Sequence, residues 1–193
     1  MYSALLDTCV LWPSLQRDFL LSLAVEGLYR PLWSDAILEE LEEHEALKLQ
    51  KHGSPTEDSE EKARSLTQQM RTAFPDAEVR GWEPFEGTYG LPDPDDEHVV
   101  AAAHLAGAGA IVTANFKDFP PSLIPANIEV ISAQEFALNT VALSPTGALA
   151  ALGHISARYG RNGPPRSVED LLTVLAERYG MNDAVDLLIA ARK

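Results

Sequence analysis

Residues 91 to 120 read LPDPDDEHVVAAAHLAGAGAIVTANFKDFP and contain the strongest structural signals in the chain. Pro92 and Pro94 disfavour helix for the residues that precede them, so a helix can begin only at or just after Asp93. Asp93 suits the N-cap position, and Pro94 suits the first helical position. Asp95, Asp96 and Glu97 then fall in the first turn, where the positive end of the helix dipole favours carboxylates. The sequence therefore predicts an acid-rich helix start.

A helix and a buried strand are predicted after this acidic start. The run VVAAAHLAGA is small and apolar, as expected of a helix that lies close against a sheet, and Gly107 and Gly109 end it. Residues 110 to 113 (AIVT) form a short apolar run typical of a parallel strand covered on both faces. Asn115 and Asp118 follow this strand directly. Ligands of open α/β sheets bind beyond the carboxyl ends of the strands, so both side chains are candidate site residues.

The rest of the first 143 residues alternates predicted strands with predicted helices. Apolar runs predict strands at residues 2–6, 28–33 and 128–131, and residues 79–85 are expected to form a short strand followed by a turn. Apolar residues at helical spacing predict helices at 14–26, after Ser34, at 63–74 and at 133–139. Residues 50 to 62 are polar and contain Gly and Pro, which indicates a long mobile connection between two helices. This alternation predicts an α/β fold with a mainly parallel sheet.

The pattern from Ser144 onward is wholly helical. Ser144 followed by Pro145, and Ser167 followed three residues later by Asp170, are sound helix starts. We therefore predict one α/β domain over residues 1–143 and a helical extension over residues 144–193. The extension could pack on the domain, cover its cleft or mediate dimerisation, and the sequence does not distinguish these roles.

The charge of the chain is strongly negative and unevenly distributed. The formal net charge is -14. Residues 1 to 143 carry 9 Lys and Arg against 24 Asp and Glu, a difference of -15, and residues 144 to 193 carry 6 against 5. Such a surface repels nucleic acid at long range, which argues against a metal-free nucleic-acid binder that relies on counterion release. Divalent ions held by carboxylates reverse the local charge, so an acidic metal-dependent nuclease remains physically reasonable.

The sequence also indicates where the protein is located and whether its cysteine is reactive. No apolar run approaches the roughly 20 residues that span a bilayer, and the N-terminus lacks the pattern of a signal peptide, so a cytoplasmic protein without membrane contact is expected. The single cysteine, Cys9, is followed by the apolar residues Val10 and Leu11. This context predicts a buried, unreactive thiol and not a nucleophile.

Two acids far from residues 91 to 120 are expected at the same edge of the sheet. Asp7 follows the short segment YSALL, which predicts a first strand that ends at this carboxylate. Because the carboxyl ends of parallel strands share one edge, Asp7 should lie near the residues that follow Thr113. On the helix that begins after Ser34, Glu40 borders the apolar face, whereas most neighbouring glutamates point away from it.

These acids suit one kind of chemistry. Asp7, Glu40 and Asp96, with Asn115 or Asp118, would place three or four oxygen donors at one edge of the sheet. Mg²⁺ and Mn²⁺ prefer such oxygen ligands. The reaction that fits a site of this kind is phosphodiester hydrolysis.

Four sequence segments together resemble a known family. The segments are Asp7-Thr8, ILEE at 37–40 after Ser34, PDPDDEHV at 92–99 and IVTANFKDFP at 111–120. They are similar to PIN-domain ribonucleases over roughly residues 1 to 140, and most of all to VapC-like toxins of bacterial toxin–antitoxin pairs. The resemblance implies a three-layer α/β/α sandwich, Mg²⁺- or Mn²⁺-dependent cleavage of RNA, a homodimer, and a cognate antitoxin that blocks the acidic pocket.

The resemblance also implies roles for individual residues. The acidic positions of the family fall on Asp7, Glu40 and Asp96, which are the expected metal ligands. The fourth family position falls on Asn115, whose oxygen is neutral, so Asp118 is an alternative fourth ligand. The resemblance gives Thr8 and Ser34 the role of orienting ligands or water.

Two other functions remain open from the sequence. A phosphatase or phosphotransferase of the haloacid-dehalogenase kind would use Asp7 as nucleophile, but it needs a second aspartate two residues later, where this chain has Cys9. A degenerate PIN module could bind protein or RNA without cleaving it, and Asn115 favours that reading. Metal-dependent cleavage would separate these possibilities from a nuclease.

Overall fold

A computed structural model of the chain describes residues 1–162 and 164–192. The strands are β1 (Ser3–Leu6), β2 (Arg30–Ser34), β3 (Glu78–Val79), β4 (Ala110–Val112) and β5 (Glu129–Ile131). The helices are α1 (Thr8–Leu11), α2 (Ser14–Val25), α3 (Asp35–Lys51), α4 (Thr56–Ala73), α5 (Glu97–Leu105), α6 (Ala133–Leu143), α7 (Pro145–Asn162), α8 (Val168–Glu177) and α9 (Asn182–Ala191). The chain divides into two compact units, of which the first comprises residues 2–12 and 31–130. The second comprises residue 1, residues 13–30 and residues 131–193.

A parallel sheet organises the first unit and confirms the predicted α/β fold. Its strands lie in the order β3-β2-β1-β4-β5. In the centre, Leu5 pairs with Ile111 and Leu6 with Val112, so β1 and β4 end at the same edge. Residues 4–6 of β1 and all of β4 are apolar and fully buried, which is the pattern expected of a parallel sheet covered on two faces. We call the edge at which these two strands end the carboxyl rim.

Residues 50 to 62 correct one prediction, because they are mostly helical. Helix α3 runs to Lys51 and α4 begins at Thr56, so only four residues connect the helices. The two helices pack against each other: the Thr67 hydroxyl donates to Glu42, and Arg71 forms an ion pair with the same carboxylate at 3.9 Å. The polar composition that suggested a mobile connection belongs to the solvent-facing sides of two packed helices.

The start of α5 also differs in detail from the prediction. Asp93 caps the turn as predicted, since its carboxylate accepts from the Asp95 N–H at 3.0 Å. Residues 94–96, however, form a separate 3-10 turn, and α5 begins only at Glu97. Gly107 follows the helix with φ +62°, the left-handed conformation in which glycine is favoured. The change of helix type places Asp96 at the N-cap position of α5, next to the carboxyl rim.

The second unit is helical. Helix α2 packs against α7, and α6 packs against α9. The rings of Tyr29 and Phe136 meet edge to face with centroids 4.7 Å apart, and Arg158 pairs with Asp18 at 2.8 Å. Arg17 of α2 is buried. The division of the chain at residue 143 stays a prediction.

In the described residues, no single helix is long and apolar enough to cross a membrane. Residues 133–143 and 145–159 reach that length and composition only when taken together, and the two segments are bent by 114°.

Candidate metal centre

Asp7 lies at the carboxyl rim, where β1 ends. Its backbone N–H donates to the Val112 carbonyl at 3.1 Å, which joins it to β4. The Thr113 hydroxyl donates to its carboxylate at 2.6 Å, and the Cys9 thiol donates to the same oxygen at 3.1 Å. The side chain is almost fully buried, with 6% of the residue exposed. Asp7 and Thr113 therefore meet as the parallel strands predict, and Asp7 is held in a fixed orientation.

Cys9 differs from its prediction in one respect. The residue is exposed, although its sulfur contacts the Asp7 carboxylate at 3.1 Å and the Thr113 hydroxyl at 3.5 Å. The pKa of its thiol is nevertheless raised to about 12, first because the sulfur is withdrawn from water and then because the Asp7 carboxylate lies beside it. A thiol with such a pKa is almost wholly protonated near neutral pH, so it is a poor nucleophile. The prediction of burial is wrong.

Three aspartates at the carboxyl rim form a group that could hold a metal ion. One carboxylate oxygen from each of Asp93, Asp96 and Asp118 lies within 4.8 Å of the other two. Asp93 is exposed, Asp96 is half-buried and Asp118 is buried. We call these three residues the rim cluster. Asp93 was expected only to cap a helix, so its place in the cluster is new.

Asn115 links Asp118 to Asp96. The Asp118 N–H donates to the Asn115 carbonyl at 3.2 Å, which closes a turn over residues 115–118. The Asn115 side-chain amide donates to the Asp96 carboxylate at 3.0 Å. The amide nitrogen thus faces Asp96, whereas Asp118 contributes the carboxylate oxygen to the cluster. Asn115 therefore orients Asp96 by donating a hydrogen bond.

The electrostatics of the rim cluster favour a bound cation. The pKa of Asp96 is raised to about 6, first by burial and then by the negative charges of Asp7, Asp93 and Asp118. Clustered carboxylates repel one another, and a divalent cation between them removes that repulsion. The donor set consists of hard oxygen atoms, which fits Mg²⁺ or Mn²⁺. The residues present therefore suit such an ion.

Glu40 is held beside the carboxyl rim by two hydrogen bonds. The Thr8 hydroxyl donates to Oε2 at 2.6 Å, and His98 Nε2 lies 3.1 Å from Oε1. Burial alone would raise the pKa of Glu40, but the contacts with His98 and Thr8 outweigh it and lower the pKa. The Ser34 hydroxyl, fully buried, accepts from the Ile37 N–H at 3.2 Å and so caps α3. Thr8 orients Glu40 directly, whereas Ser34 acts through the start of its helix.

His98 is a site residue that the sequence reasoning missed. It is 5% exposed, and its ring lies 5.8 Å from that of Trp82. Burial would lower the pKa of His98, but the Glu40 hydrogen bond and the charges of Glu40, Asp7 and Asp96 raise it. Its Nδ1 has no hydrogen-bond partner among the described residues. The one sequence feature that could have identified His98 is its position two residues after Asp96. Nothing in the sequence indicated that Glu40 is its partner.

Glu97 has a structural role although it adjoins Asp96. Its carboxylate accepts from the Leu91 N–H at 2.9 Å and from the Tyr89 N–H at 3.0 Å. Burial would raise the pKa of Glu97, but these backbone hydrogen bonds, with further ones from Gly90 and Gly87, lower it. Glu97 therefore fastens the loop of residues 87–91 to the start of α5.

The predicted site residues occupy two adjoining groups. Asp96 and Asp118 belong to the rim cluster, and Asn115 bonds to Asp96. Asp7 and Glu40 lie outside the cluster, although the charge of Asp7 acts on Asp96. His98 connects the two groups, because it contacts Glu40 and because the charges of Asp7 and Asp96 raise its pKa. The catalytic and metal-binding roles of these residues stay predictions.

Comparison with known proteins adds one finding. A family model described as PIN domain matches residues 3–117, which cover the first four strands of the sheet and the carboxyl rim up to Asn115. No curated protein and no solved structure matches the chain.

Proposed function

The chain belongs to the PIN domain family, and from this premise we propose that it is a metal-dependent endoribonuclease. PIN domains are generally metal-dependent nucleases. The observation that carries the proposal is the rim cluster, in which Asp93, Asp96 and Asp118 bring carboxylate oxygens within 4.8 Å of one another. The raised pKa of Asp96 supports it, because carboxylates that repel one another are a natural place for a cation.

The proposed metal ligands are Asp96 and Asp118, with Asp7 and Glu40 as the two further acidic positions of the site. Asp93 joins them as a candidate ligand because of its distance from Asp96 and Asp118. A divalent cation held there, Mg²⁺ or Mn²⁺, would lower the pKa of a coordinated water and balance the charge that develops during phosphodiester hydrolysis.

The surrounding side chains keep the acids in place. Thr113 fixes Asp7, and Asn115 fixes Asp96, each through one hydrogen bond. Thr8 and His98 hold Glu40 in its ionised form beside the carboxyl rim. Such partners limit the motion of the acids, so little reorganisation is needed when a phosphate approaches.

The biological role that we propose is that of a toxin in a toxin–antitoxin pair. Its substrate would be RNA, and its partners would be a cognate antitoxin and a second copy of the chain. The charge of -15 over residues 1 to 143 supports an inhibitor with a cationic segment, since the acidic surface would steer it toward the carboxyl rim. The match to the PIN domain family carries the nuclease part of this proposal, and the toxin part rests on the four sequence segments.

Cleavage of RNA in the presence of Mg²⁺ or Mn²⁺ tests the proposed function. Purified protein should cut a labelled RNA with either ion, and a chelator should abolish the activity. Asp96→Asn should lose the activity, whereas Asp95→Asn, at an exposed neighbour outside the rim cluster, should keep it. Cleavage that persists in the chelator or in Asp96→Asn would exclude this site.

A second candidate function is a PIN module that binds RNA or protein without cleaving it. One observation favours it: Asn115, at the fourth position that the family resemblance implies, has a neutral side chain and turns its amide nitrogen to Asp96. Binding of RNA by the wild-type protein with no cleavage in either ion would support this alternative. The phosphatase alternative finds no support, because Cys9 stands where a second aspartate is needed.

A further inference from the structure

The turn over residues 115–119 presents two side chains beside the rim cluster. The Asp118 N–H donates to the Asn115 carbonyl at 3.2 Å, and the Phe119 N–H donates to the Phe116 carbonyl at 3.3 Å. The ends of the turn face inward, since Asn115 bonds to Asp96 and Asp118 is buried in the cluster. The two residues between them point to solvent: Phe116 is 46% exposed, and the Lys117 side chain is 83% exposed.

An exposed phenylalanine by itself is ordinary, but Phe116 is followed by a lysine that lies beside the rim cluster. Lys117 is the only Lys or Arg between Arg80 and Arg158 in the sequence. Its Nζ lies 3.3 Å from the Asp118 carboxylate, a member of the rim cluster. An ion pair of such an exposed lysine contributes little, so Lys117 can exchange this carboxylate for a phosphate. An aromatic face and a mobile cation therefore stand side by side at the acidic group.

We propose that Phe116 and Lys117 position a single-stranded RNA at the rim cluster. Phe116 stacks on an unpaired base, and Lys117 contacts the phosphate backbone next to it. Stacking on aromatic side chains combined with cationic contacts to the backbone is the general way in which proteins hold single strands. This inference deepens the proposed function and rests on it.

The chemistry of the turn favours a single strand over a duplex. A base within a duplex has both faces stacked, so Phe116 could reach it only by unstacking the helix, which costs free energy. The acidic surface around the turn repels a continuous array of phosphates, because positive charge is scarce there. One stacked base and one contacted phosphate fit this surface.

Cleavage kinetics with a 12-nucleotide unstructured RNA and the matching 12-base-pair duplex test the inference. Phe116→Ala should raise KM for the single strand roughly 10-fold or more, with kcat changed less than about 2-fold, and Phe116→Trp should restore KM. Lys117→Ala should raise KM several-fold. It should also reduce the steepness with which the logarithm of the RNA-binding affinity falls with the logarithm of the salt concentration, by about 0.7, and Lys117→Arg should restore both quantities. The wild-type protein should cleave the duplex poorly.

Matched controls lie elsewhere in the same unit. Phe85 is similarly exposed at 40%, and its ring contacts His104 in the last turn of α5. Asp96 precedes the first turn of α5, so Phe85 lies near the opposite end of that helix from the rim cluster. Phe85→Ala and Lys62→Ala, which removes an exposed lysine of α4, should leave KM unchanged. The thermal stability of the Phe116 and Lys117 variants should equal that of the wild type, and so should the Mn²⁺ affinity of Phe116→Ala. Lys117→Ala should bind Mn²⁺ at least as tightly as the wild type, because it loses a cation beside the Asp118 carboxylate.

The outcomes separate this inference from the proposed function. If the wild-type protein cleaves RNA and Phe116→Ala and Lys117→Ala keep its KM, the inference fails while the nuclease proposal stands. If the wild-type protein neither cleaves nor binds the single strand, as measured by fluorescence anisotropy with Ca²⁺ in place of Mg²⁺, both fail. A loss of binding that Phe85→Ala reproduces would also overturn the inference, because the effect would not belong to this turn.

Discussion

Asp96 and Glu97 are neighbours in the sequence, yet they belong to two regions with opposite electrostatics. At the rim cluster, Asp96 faces other carboxylates, and its pKa rises to about 6. At the loop of residues 87–91, Glu97 receives backbone N–H groups, and its pKa falls. A carboxylate that accepts hydrogen bonds from backbone N–H groups stabilises the fold. A carboxylate that faces other carboxylates is repelled by them, and a bound cation relieves that repulsion. The comparison separates a structural acid from a candidate catalytic acid within one helix start.

Matched amide substitutions at these two positions should differ most strongly in their effect on RNA cleavage. Asp96→Asn removes a proposed ligand and should lower kcat/KM for RNA cleavage by at least about 100-fold. Glu97→Gln should keep most of the activity when assayed well below its melting temperature. Equal losses in both variants would mean that the two carboxylates do not differ in role.

The two substitutions should affect the stability of the protein in the reverse order, with the larger loss in Glu97→Gln. Glu97→Gln replaces a buried charged acceptor of backbone hydrogen bonds and should lower the free energy of unfolding by about 2 kcal/mol, measured by urea denaturation. Asp96→Asn removes repulsion, so the stability of the metal-free protein should stay the same or rise. A large loss of stability in Asp96→Asn would contradict the account of the rim cluster.

The two carboxylates should also give the stability of the protein opposite dependences on pH. The folded-state pKa of Asp96 lies above its ordinary value, so the folded protein binds a proton more tightly than the unfolded chain does. The metal-free protein should therefore lose stability as pH rises toward and through about 6. Mg²⁺ or Mn²⁺ should restore it, by about 2.7 kcal/mol at a free concentration of about 100 times Kd.

Glu97 gives the opposite sign, because its folded-state pKa is lowered. Its contribution is present above the ordinary pKa of a glutamate and is lost as pH falls through the lowered value. Melting temperatures measured from acidic to neutral pH in the wild type, Asp96→Asn and Glu97→Gln separate the two contributions. If the fall in stability near pH 6 persists in Asp96→Asn, another group causes it.

Substitutions of His98 should have the smallest effect on activity. His98→Leu removes the group that holds Glu40 and should lower kcat/KM about 10-fold. His98→Gln keeps an N–H donor within reach of Glu40 and should recover most of that loss. Similar activity in the two variants would show that the hydrogen bond to Glu40 is not needed.

Much of the fold could be predicted because it depends on local patterns. The strands of the sheet appear as short apolar runs, and the meeting of Asp7 with Thr113 follows from two parallel strands that end at one edge. The helical character of residues 50–62 could not be predicted in the same way. The exposed faces of α3 and α4 are as polar as a loop, and only their mutual packing makes them helical.

The candidate site was only partly predictable for a related reason. Asp96 and Asp118 could be proposed because they flank a helix start and a strand end. Asp93 could not, since its approach to them depends on the 3-10 turn that precedes α5. His98 could not either, because its contact with Glu40 joins residues 58 positions apart on two different helices. Such contacts depend on tertiary packing, which no periodicity in the sequence encodes.

The most direct test of the central claim is a crystal structure of the wild-type protein grown with Mn²⁺, with anomalous scattering used to locate the ion. We expect an anomalous peak at the carboxyl rim, within about 2.0 to 2.4 Å of carboxylate oxygens of Asp96 and Asp118. A crystal that contains Mn²⁺ only at other acidic surfaces, with these two carboxylates free of it, would contradict the account.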